Sequence, residues 1–388
     1  MTFFPEEIKT ILYLKMGKYL YFALFPVLYI LITNLLHHFY FAGGFSSSKA
    51  VLHGKTVIIT GANTGIGKLT AMDLAERGAR VILACRSAKR ALPVVEEIKA
   101  KTKNTEVLFK ELDLASFDSI QHFSDDFLKH EERLDILINN AGMMSTSDEP
   151  HLTEHGIEIT LMVNHLGHMF LTQNLLDLLK KSGPGSRIVS VSSLGHDFAN
   201  PNAFKDLDNL KIDGAANFVE LDRPTFLPRA SDFLGVLFKP LMTKPTGIRY
   251  ANSKLANVLF SKELSNRLAG SGVTTYSLHP GAILTELGVD RSTGKDVFGM
   301  DRKNSIIEKL MNLPEFINPF FFPFKTLVEG AQTSICCAVN EELANESGQY
   351  YSDCVAQHVY REELSGDFPS KFWEWSDSLI REATKQKK

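Results

Sequence analysis

Thr56-Val57-Ile58-Ile59-Thr60-Gly61-Ala62-Asn63-Thr64-Gly65-Ile66-Gly67 runs directly into Lys68-Leu69-Thr70-Ala71-Met72-Asp73-Leu74-Ala75-Glu76-Arg77-Gly78. A β-branched run ends in a glycine turn, and apolar residues (Ile66, Leu69, Ala71, Leu74, Ala75) then recur at helical spacing until Gly78. The stretch reads as strand, tight loop, helix. Gly61 permits backbone angles closed to other residues, Gly65 lets the chain pass close to a pyrophosphate, and Gly67 lets the helix sit hard against the strand. The helix N-terminus adds free N–H groups and a positive dipole end for phosphates. A glycine pattern alone is weak evidence; its place between a strand and a helix gives it weight.

With 388 residues, 44% hydrophobic and 22% charged, the chain is long enough for one large α/β domain with additions. A net charge of -3 argues against a nucleic-acid partner. Cys85, Cys336, Cys337 and Cys354 form no CxxC pair and no metal-ligand spacing. Two are adjacent, so reduced thiols packed as small apolar groups are expected, and no metal site.

Tyr19 to Leu36 carries no charge and is rich in Leu, Ile, Phe, Tyr and Val. As a helix it rises about 27 Å, close to the hydrocarbon thickness of a bilayer, with aromatic residues at both ends. Residues 1–18 therefore precede a membrane anchor over 19–42, and 43–53 reads as a linker. A cleaved signal peptide and a buried core helix are the competing readings. Lys9, Lys15 and Lys18 before the segment and Lys49 and Lys55 after it leave the orientation open.

Arg80 to Ala84 is a second buried strand ending in Cys85-Arg86-Ser87. The end of this strand meets the adenosine ribose in dinucleotide-binding folds, where an acid binds the 2′-hydroxyl and an arginine accommodates a 2′-phosphate. Cys85 stands where the acid would, and Arg86 offers a planar guanidinium. Val107 to Leu112 is a third strand, ending at Asp113-Leu114. Asp113 either accepts from the adenine amino group or caps the next helix with Ser116. A fourth strand ends in Asn139-Asn140-Ala141-Gly142, small and amide residues that let the chain approach a ribose while holding neighbouring strands. Asn164 lies in a long apolar helical segment and must find partners. A fifth strand delivers Ser192-Ser193; Tyr250 and Lys254, four apart, share one face of a later helix. A Tyr/Lys pair provides a proton donor, since a nearby ammonium group favours the phenolate and moves it toward working pH.

Taken in order, Thr60 to Gly67, Asn139 to Gly142, Asn164, Ser193, Tyr250 with Lys254, and Pro280-Gly281 resemble the short-chain dehydrogenase/reductase superfamily over about residues 54 to 354. Leu83 to Ser87, Tyr250 to Phe260, Glu329 to Thr333 and Ser352-Asp353-Cys354 are similar to its membrane-bound retinol dehydrogenase branch. The resemblance implies a single Rossmann-type doubly wound parallel sheet of about seven strands, NADP(H), and interconversion of a lipid alcohol with its carbonyl. It makes Tyr250 the acid/base, with Lys254 lowering its pKa and holding the nicotinamide ribose. Ser193 would bond the substrate oxygen, and Asn164 would hold a water linking Lys254 to solvent. Gly61, Asn63, Thr64, Gly65, Ile66 and Gly67 would wrap the phosphates, Arg86 would select NADP, Asp113 and Leu114 would meet the adenine, Asn140, Ala141 and Gly142 the ribose, and Thr285 the carboxamide. Ser192 should point to the other side of its strand.

Ser193 and Tyr250 lie 57 positions apart (250 minus 193), more than is usual in this branch. The extra chain, placed at 214–247, is a lid or membrane-dipping entrance, or else a surface excursion. The phenylalanine-rich stretch Leu313 to Phe324 suits an apolar substrate wall, and 361–388 reads as a tail after a catalytic domain over 54–360. The whole is expected to be an endoplasmic-reticulum membrane enzyme acting on retinol or retinal. A steroid or fatty aldehyde is the alternative substrate, and a non-catalytic NADP-binding scaffold or sensor the alternative class. The oligomeric state is open, with a homodimer one candidate.

Overall fold

The computed structural model describes residues 24–25, 27–39, 41–200, 202–213, 239–283, 287, 324–359 and 361–385. Residues 27–39 form a helix, α1, with Leu28, Leu31, Leu35 and Phe39 exposed. Two of its polar side chains bond back to the helix: Thr33 donates to the Tyr29 carbonyl at 2.9 Å and Asn34 to the Ile30 carbonyl at 2.8 Å. Among the described residues no helix is long and apolar enough to cross a membrane. Residues 19–23 and Pro26 of the expected span lie outside them.

The glycine stretch folds as its pattern dictates. β1 (Thr56–Thr60) is buried throughout, α2 (Gly65–Glu76) follows the loop, and β2 (Arg80–Cys85), α3 (Ala88–Thr102) and β3 (Val107–Glu111) complete the first half. α4 (Phe117–His130) buries Phe117, Ile120, Phe123 and Phe127, a stripe at three- and four-residue spacing. β4 (Ile136–Asn139) leads to the turn Ile159–Leu161, a π-helical turn Met162–Leu166 and α5 (Gly167–Lys181). β5 (Ser186–Val191), α6 (Leu207–Asp213), α7 (Pro245–Arg267), β6 (Val273–His279), α8 (Leu327–Val339), β7 (Gln349–Ser352), β8 (Val355–Gln357) and α9 (Phe368–Lys385) complete the chain.

One sheet runs in the order β3-β2-β1-β4-β5-β6-β7-β8. All neighbours are parallel except β7 and β8. Strand order reverses between β1 and β4, which opens a crevice at the carboxyl ends of the strands. Separate apolar clusters cover the two faces, one around α4, α5, α7 and α9, the other around α2, α3 and α8.

Several details correct the sequence reading. The sheet has eight strands rather than about seven, because the three residues of β8 return antiparallel beside β7. Cys336 and Cys354 are disulfide-bonded, Cα to Cα 5.6 Å, whereas all four cysteines were expected to be reduced thiols. Successive helical residues point about 100° apart, so Cys337 enters the apolar layer while its neighbour Cys336 is free to meet the hairpin. Asp353 and Cys354 form the two-residue turn of that hairpin, both with left-handed φ (57° and 62°). Cys85 and Cys337 are free and buried.

The stretch read as a linker is tied along α8: Ser46 N–H donates to Gln332 Oε1 at 3.1 Å and Ser48 Oγ to the Val339 carbonyl at 3.2 Å. The end of α1 is tied there too, through His37 and Glu329 at 3.0 Å. The stretch read as a tail supplies α9, whose Phe372, Trp373, Leu379 and Ile380 join the main core. Of the extra chain, Pro245 to Gly247 belong to α7, the helix that carries Tyr250 and Lys254, while 214–238 lie outside the described residues. So does the phenylalanine-rich stretch up to residue 323.

Candidate active site

At the crevice, Gly61 and Gly65 have φ of +67° and +59°, in the region that favours glycine. A side chain at Gly65 would meet nothing within 4 Å, which leaves room for a phosphate, whereas one at Gly67 would lie 2.4 Å from Asn140 Nδ2. Thr64 starts α2 without a side-chain cap, so no hydroxyl competes for the first N–H groups; Asn63 and Ile66 flank it, partly exposed. Arg86 is exposed and makes no hydrogen bond or ion pair with the described residues. Beside it Cys85 holds its thiol under the loop amides of Asn63, Ala62 and Gly61, and burial pushes its pKa up to about 11. A neutral thiol and a free guanidinium suit a 2′-phosphate better than a bare ribose hydroxyl.

Asp113 accepts from Ala115 N–H at 3.0 Å, while Ser116 by itself caps α4. Leu114 is buried, its carbonyl pressed against the start of α5, where a side chain at Gly167 would lie 2.5 Å away. Asn140 spends its amide on the Thr60 carbonyl at 2.8 Å, bracing β1 against β4. Thr285 lies outside the described residues.

Tyr250, Lys254, Ser193 and Asn164 converge at the ends of β4 and β5. Ser193 faces Tyr250 across Gly195, where a side chain would lie 3.3 Å from both Ser193 Oγ and a Tyr250 ring carbon. Burial pushes Tyr250 up to about 12, partly opposed by the Ser193 side chain, and pushes Lys254 down to about 8. The expected lowering of the tyrosine by its lysine is therefore not produced by the chain alone. Lys254 Nζ lies 5.7 Å from the Tyr250 ring centre and donates to the Val191 carbonyl at 2.9 Å, so burial outweighs its charge. Ser192 turns away from Tyr250 and donates to the Lys254 carbonyl at 2.7 Å.

The Asn164 amide is a brace. Met143 N–H donates to its Oδ1 at 2.8 Å, and its Nδ2 donates to the Met143 carbonyl and to Ser253 Oγ, both at 2.9 Å. Gly142 must be small, since a side chain there would lie 3.2 Å from Lys254 Nζ. Sequence reasoning passed over Gly195, where a side chain would lie 3.3 Å from both Ser193 Oγ and a Tyr250 ring carbon. It also passed over His196, whose Nδ1 donates to the Ser193 carbonyl at 2.6 Å. Both follow the strand-end serine within three residues, the one signal that could have marked them. Met144, Leu241 and Met242 pack with Tyr250 in a small apolar cluster.

A buried tyrosine facing a strand-end serine, a lysine one turn along, and a glycine loop at a parallel-sheet crevice form a set that comparison can test. Residues 55–203 match the family model described as short chain dehydrogenase. Retinol dehydrogenase 11 of Mus musculus is 41% identical over 87% of this chain and 90% of its own length, and retinol dehydrogenase 12 of Homo sapiens is 40% identical over 92% and 96%. The chain belongs to the short-chain dehydrogenases. Within them it falls in the retinol dehydrogenase-like branch, and it is an oxidoreductase.

Solved structures agree on the fold of this dehydrogenase. A Mycobacterium Paratuberculosis protein of uncharacterised function superposes with TM-score 0.57 at 26% identity, covering 87% of this chain and 98% of its own. L-sorbose reductase from Gluconobacter frateurii, solved with NADPH and L-sorbose, gives 0.55 at 19% identity over 78% and 96%.

Proposed function

We propose that this dehydrogenase is a membrane-anchored, NADP(H)-dependent enzyme that interconverts a lipid alcohol and its carbonyl, with retinol and retinal as the pair. The observation that carries the reading is the juxtaposition of Ser193 and Tyr250 at Gly195, set against the apolar cluster of Met144, Leu241 and Met242. The similarity to retinol dehydrogenases supplies the substrate class.

The residues fit a phosphorylated dinucleotide. Asn63, Thr64 and Ile66 would hold its pyrophosphate at the start of α2, Arg86 its 2′-phosphate, Asp113 and Leu114 its adenine, Asn140 to Gly142 with Lys254 its ribose, and Thr285 its carboxamide. When bound, NADPH supplies a hydride and NADP+ accepts one. In reduction, Tyr250 gives its proton to the carbonyl oxygen while Ser193 donates a hydrogen bond to the charge developing there. The positive charge of Lys254 stabilises the phenolate left behind, so it favours the transfer. The phosphorylated cofactor, kept mostly reduced in cells, makes carbonyl reduction the working direction. The exposed apolar surface of α1 supports anchorage in a bilayer, assigned here to the endoplasmic reticulum.

The test is oxidation of NADPH by the detergent-solubilised full chain with all-trans-retinal, run beside NADH, Tyr250→Phe and Arg86→Gln. Turnover should favour NADPH. Tyr250→Phe should lose about 10²- to 10⁴-fold in rate while still binding NADPH, and Arg86→Gln should cut the NADPH preference by about 10- to 100-fold. Turnover of steroid or fatty aldehydes but not retinal would replace the substrate and keep the mechanism. NADPH binding with no turnover of any carbonyl, unchanged by Tyr250→Phe, would sink the enzymatic reading in favour of a scaffold.

A further inference from the structure

His168 is buried, one turn beyond Asn164, and its ring bridges the two halves of the crevice. Nδ1 lies 3.0 Å from the Asn164 main-chain carbonyl, and Nε2 lies 2.8 Å from Thr60 Oγ1. A carbonyl oxygen can only accept, so Nδ1 carries the proton. Nε2 is then a lone pair, and the Thr60 hydroxyl must donate to it. Thr60 Oγ1 also accepts the main-chain N–H groups of Asn140 and Ala141, both at 2.9 Å. Its two lone pairs are filled, and its one proton lies closer to Nε2 than to the other acceptor in reach, the Ile138 carbonyl at 3.5 Å. Every bond in the set has a forced direction.

We propose that His168 is a positioning residue, a neutral imidazole that locks the ribose-side strand end to the Asn164 turn and so keeps the cofactor cradle and the Tyr250–Lys254 helix in register. The proposal deepens the oxidoreductase reading and rests on it. The lock runs through Asn164, whose amide is bonded to Met143 and to Ser253, the residue before Lys254. It starts from Thr60, the last residue of β1 before the glycine loop. Asn164 itself sits in the π-helical turn Met162–Leu166, an irregularity that costs helix regularity and is common at functional sites.

Protonated His168 would turn an Nε2–H toward a hydroxyl oxygen that has no acceptor capacity left. Burial and the Lys254 charge both hold the ring neutral, with its pKa lowered to about 4. Burial and the neighbouring His168 both lower His165, three residues earlier.

Two substitutions cut the lock on opposite sides. His168→Asn keeps an amide donor near the Nδ1 position, toward Asn164, and loses the acceptor for Thr60. His168→Gln reaches Thr60 with its amide oxygen and loses the donor to Asn164. The expected pattern is crossed. His168→Gln should lower kcat by about 10- to 100-fold, as small misplacements of catalytic groups do, with NADPH affinity near wild type and a shifted kcat–pH profile. His168→Asn should keep most of kcat and weaken NADPH binding about 10-fold, the equivalent of one good hydrogen bond. A core histidine without this role would lower stability in both variants and move neither kinetic constant selectively. Equal changes in the two variants, or wild-type behaviour of His168→Gln, would overturn the proposal.

A readout free of activity separates it from the substrate assignment. In the 15N spectrum of the histidine-labelled full chain in detergent, His168 should show a fixed Nδ1–H tautomer with no titration between about pH 5 and 8. An Nε2–H tautomer or a titrating ring would overturn the lock even if retinal is reduced. If no carbonyl is reduced, the oxidoreductase reading fails, and the tautomer together with the NADPH affinities of the two variants still decides the lock.

Discussion

The nucleotide half and the catalytic half of the crevice are built from different materials. Around the glycine loop the geometry is carried by the main chain: left-handed Gly61 and Gly65, an uncapped start to α2, and an exposed Arg86 with nothing to hold it. Around Tyr250 it is carried by side chains, each buried and each committed: Asn164 to Met143 and Ser253, Lys254 to Val191, Ser192 to Lys254. A site made of backbone depends on a few special conformations and tolerates change in the side chains between them. A site made of braced side chains has no spare member, because every removal strands a buried partner.

The largest expected effect tests that contrast directly. Asn164→Ala should leave the Met143 N–H, the Met143 carbonyl and the Ser253 hydroxyl short of bonds, at about 1–3 kcal/mol for each group that stays buried and unsatisfied. Thr64→Ala, at a cap position whose side chain caps nothing, should cost only a few tenths of a kcal/mol. Denaturant unfolding of the detergent-solubilised chain measures both. Comparable losses in the two variants would break the contrast.

Next in size is the disulfide, which staples α8 to the β7–β8 hairpin at the far edge of the catalytic half. It closes a loop over a sequence separation of 18, so Cys336→Ser should lower stability by about 3 kcal/mol, and a reductant should bring wild type down to the same level. No response to reductant would show that the catalytic edge stands without its staple. The exposed sequon Asn345-Glu346-Ser347 lies between the two cysteines. A disulfide and an N-linked glycan belong to the same oxidising compartment, so a glycan mapped at Asn345 in cells should be accompanied by the disulfide.

The same contrast explains what was legible in the sequence. Thr60 to Gly67 could be read because strand, glycine turn and helix are contiguous and each is a local preference. Tyr250 and Lys254 could be read because one helical turn fixes their relation. Ser193 was separable from Ser192 by strand alternation alone. The disulfide was not legible: it needs two consecutive residues, Asp353 and Cys354, in left-handed conformations that their side chains disfavour, and a helix to meet them. Nor was α9, whose basic tip resembles a solvated tail while Phe372 and Trp373 pack under α7. The role of Asn164 was half legible. Its burial demanded partners, but those partners, Met143 and Ser253, come from segments far apart in sequence. His168 looked like one more residue of an apolar helix until Thr60, 108 residues before it, was brought to its ring.

The smallest effect sharpens the contrast by titration. Burial lowers His165 to about 3 and His168 to about 4, and lowers His279 as well; His165 and His168 lie on the segment that carries Asn164, and His279 ends β6. In the unfolded chain a histidine protonates near pH 6.5. Between about pH 6.5 and 4 the unfolded state therefore binds protons that the folded state refuses. Stability contributed by these neutral rings is complete above pH 6.5 and is lost progressively as the pH falls toward their folded values. The nucleotide side holds no comparable buried histidine among the described residues. Hydrogen exchange at about pH 5 should accordingly speed up first in the Met162–Leu166 turn and α5, where His165 and His168 must open to take a proton, while α2 keeps its protection until global unfolding. Loss of protection in α2 at the same pH and to the same extent would mean that the two halves open as one unit, and that the lock at His168 joins them more tightly than their separate construction implies.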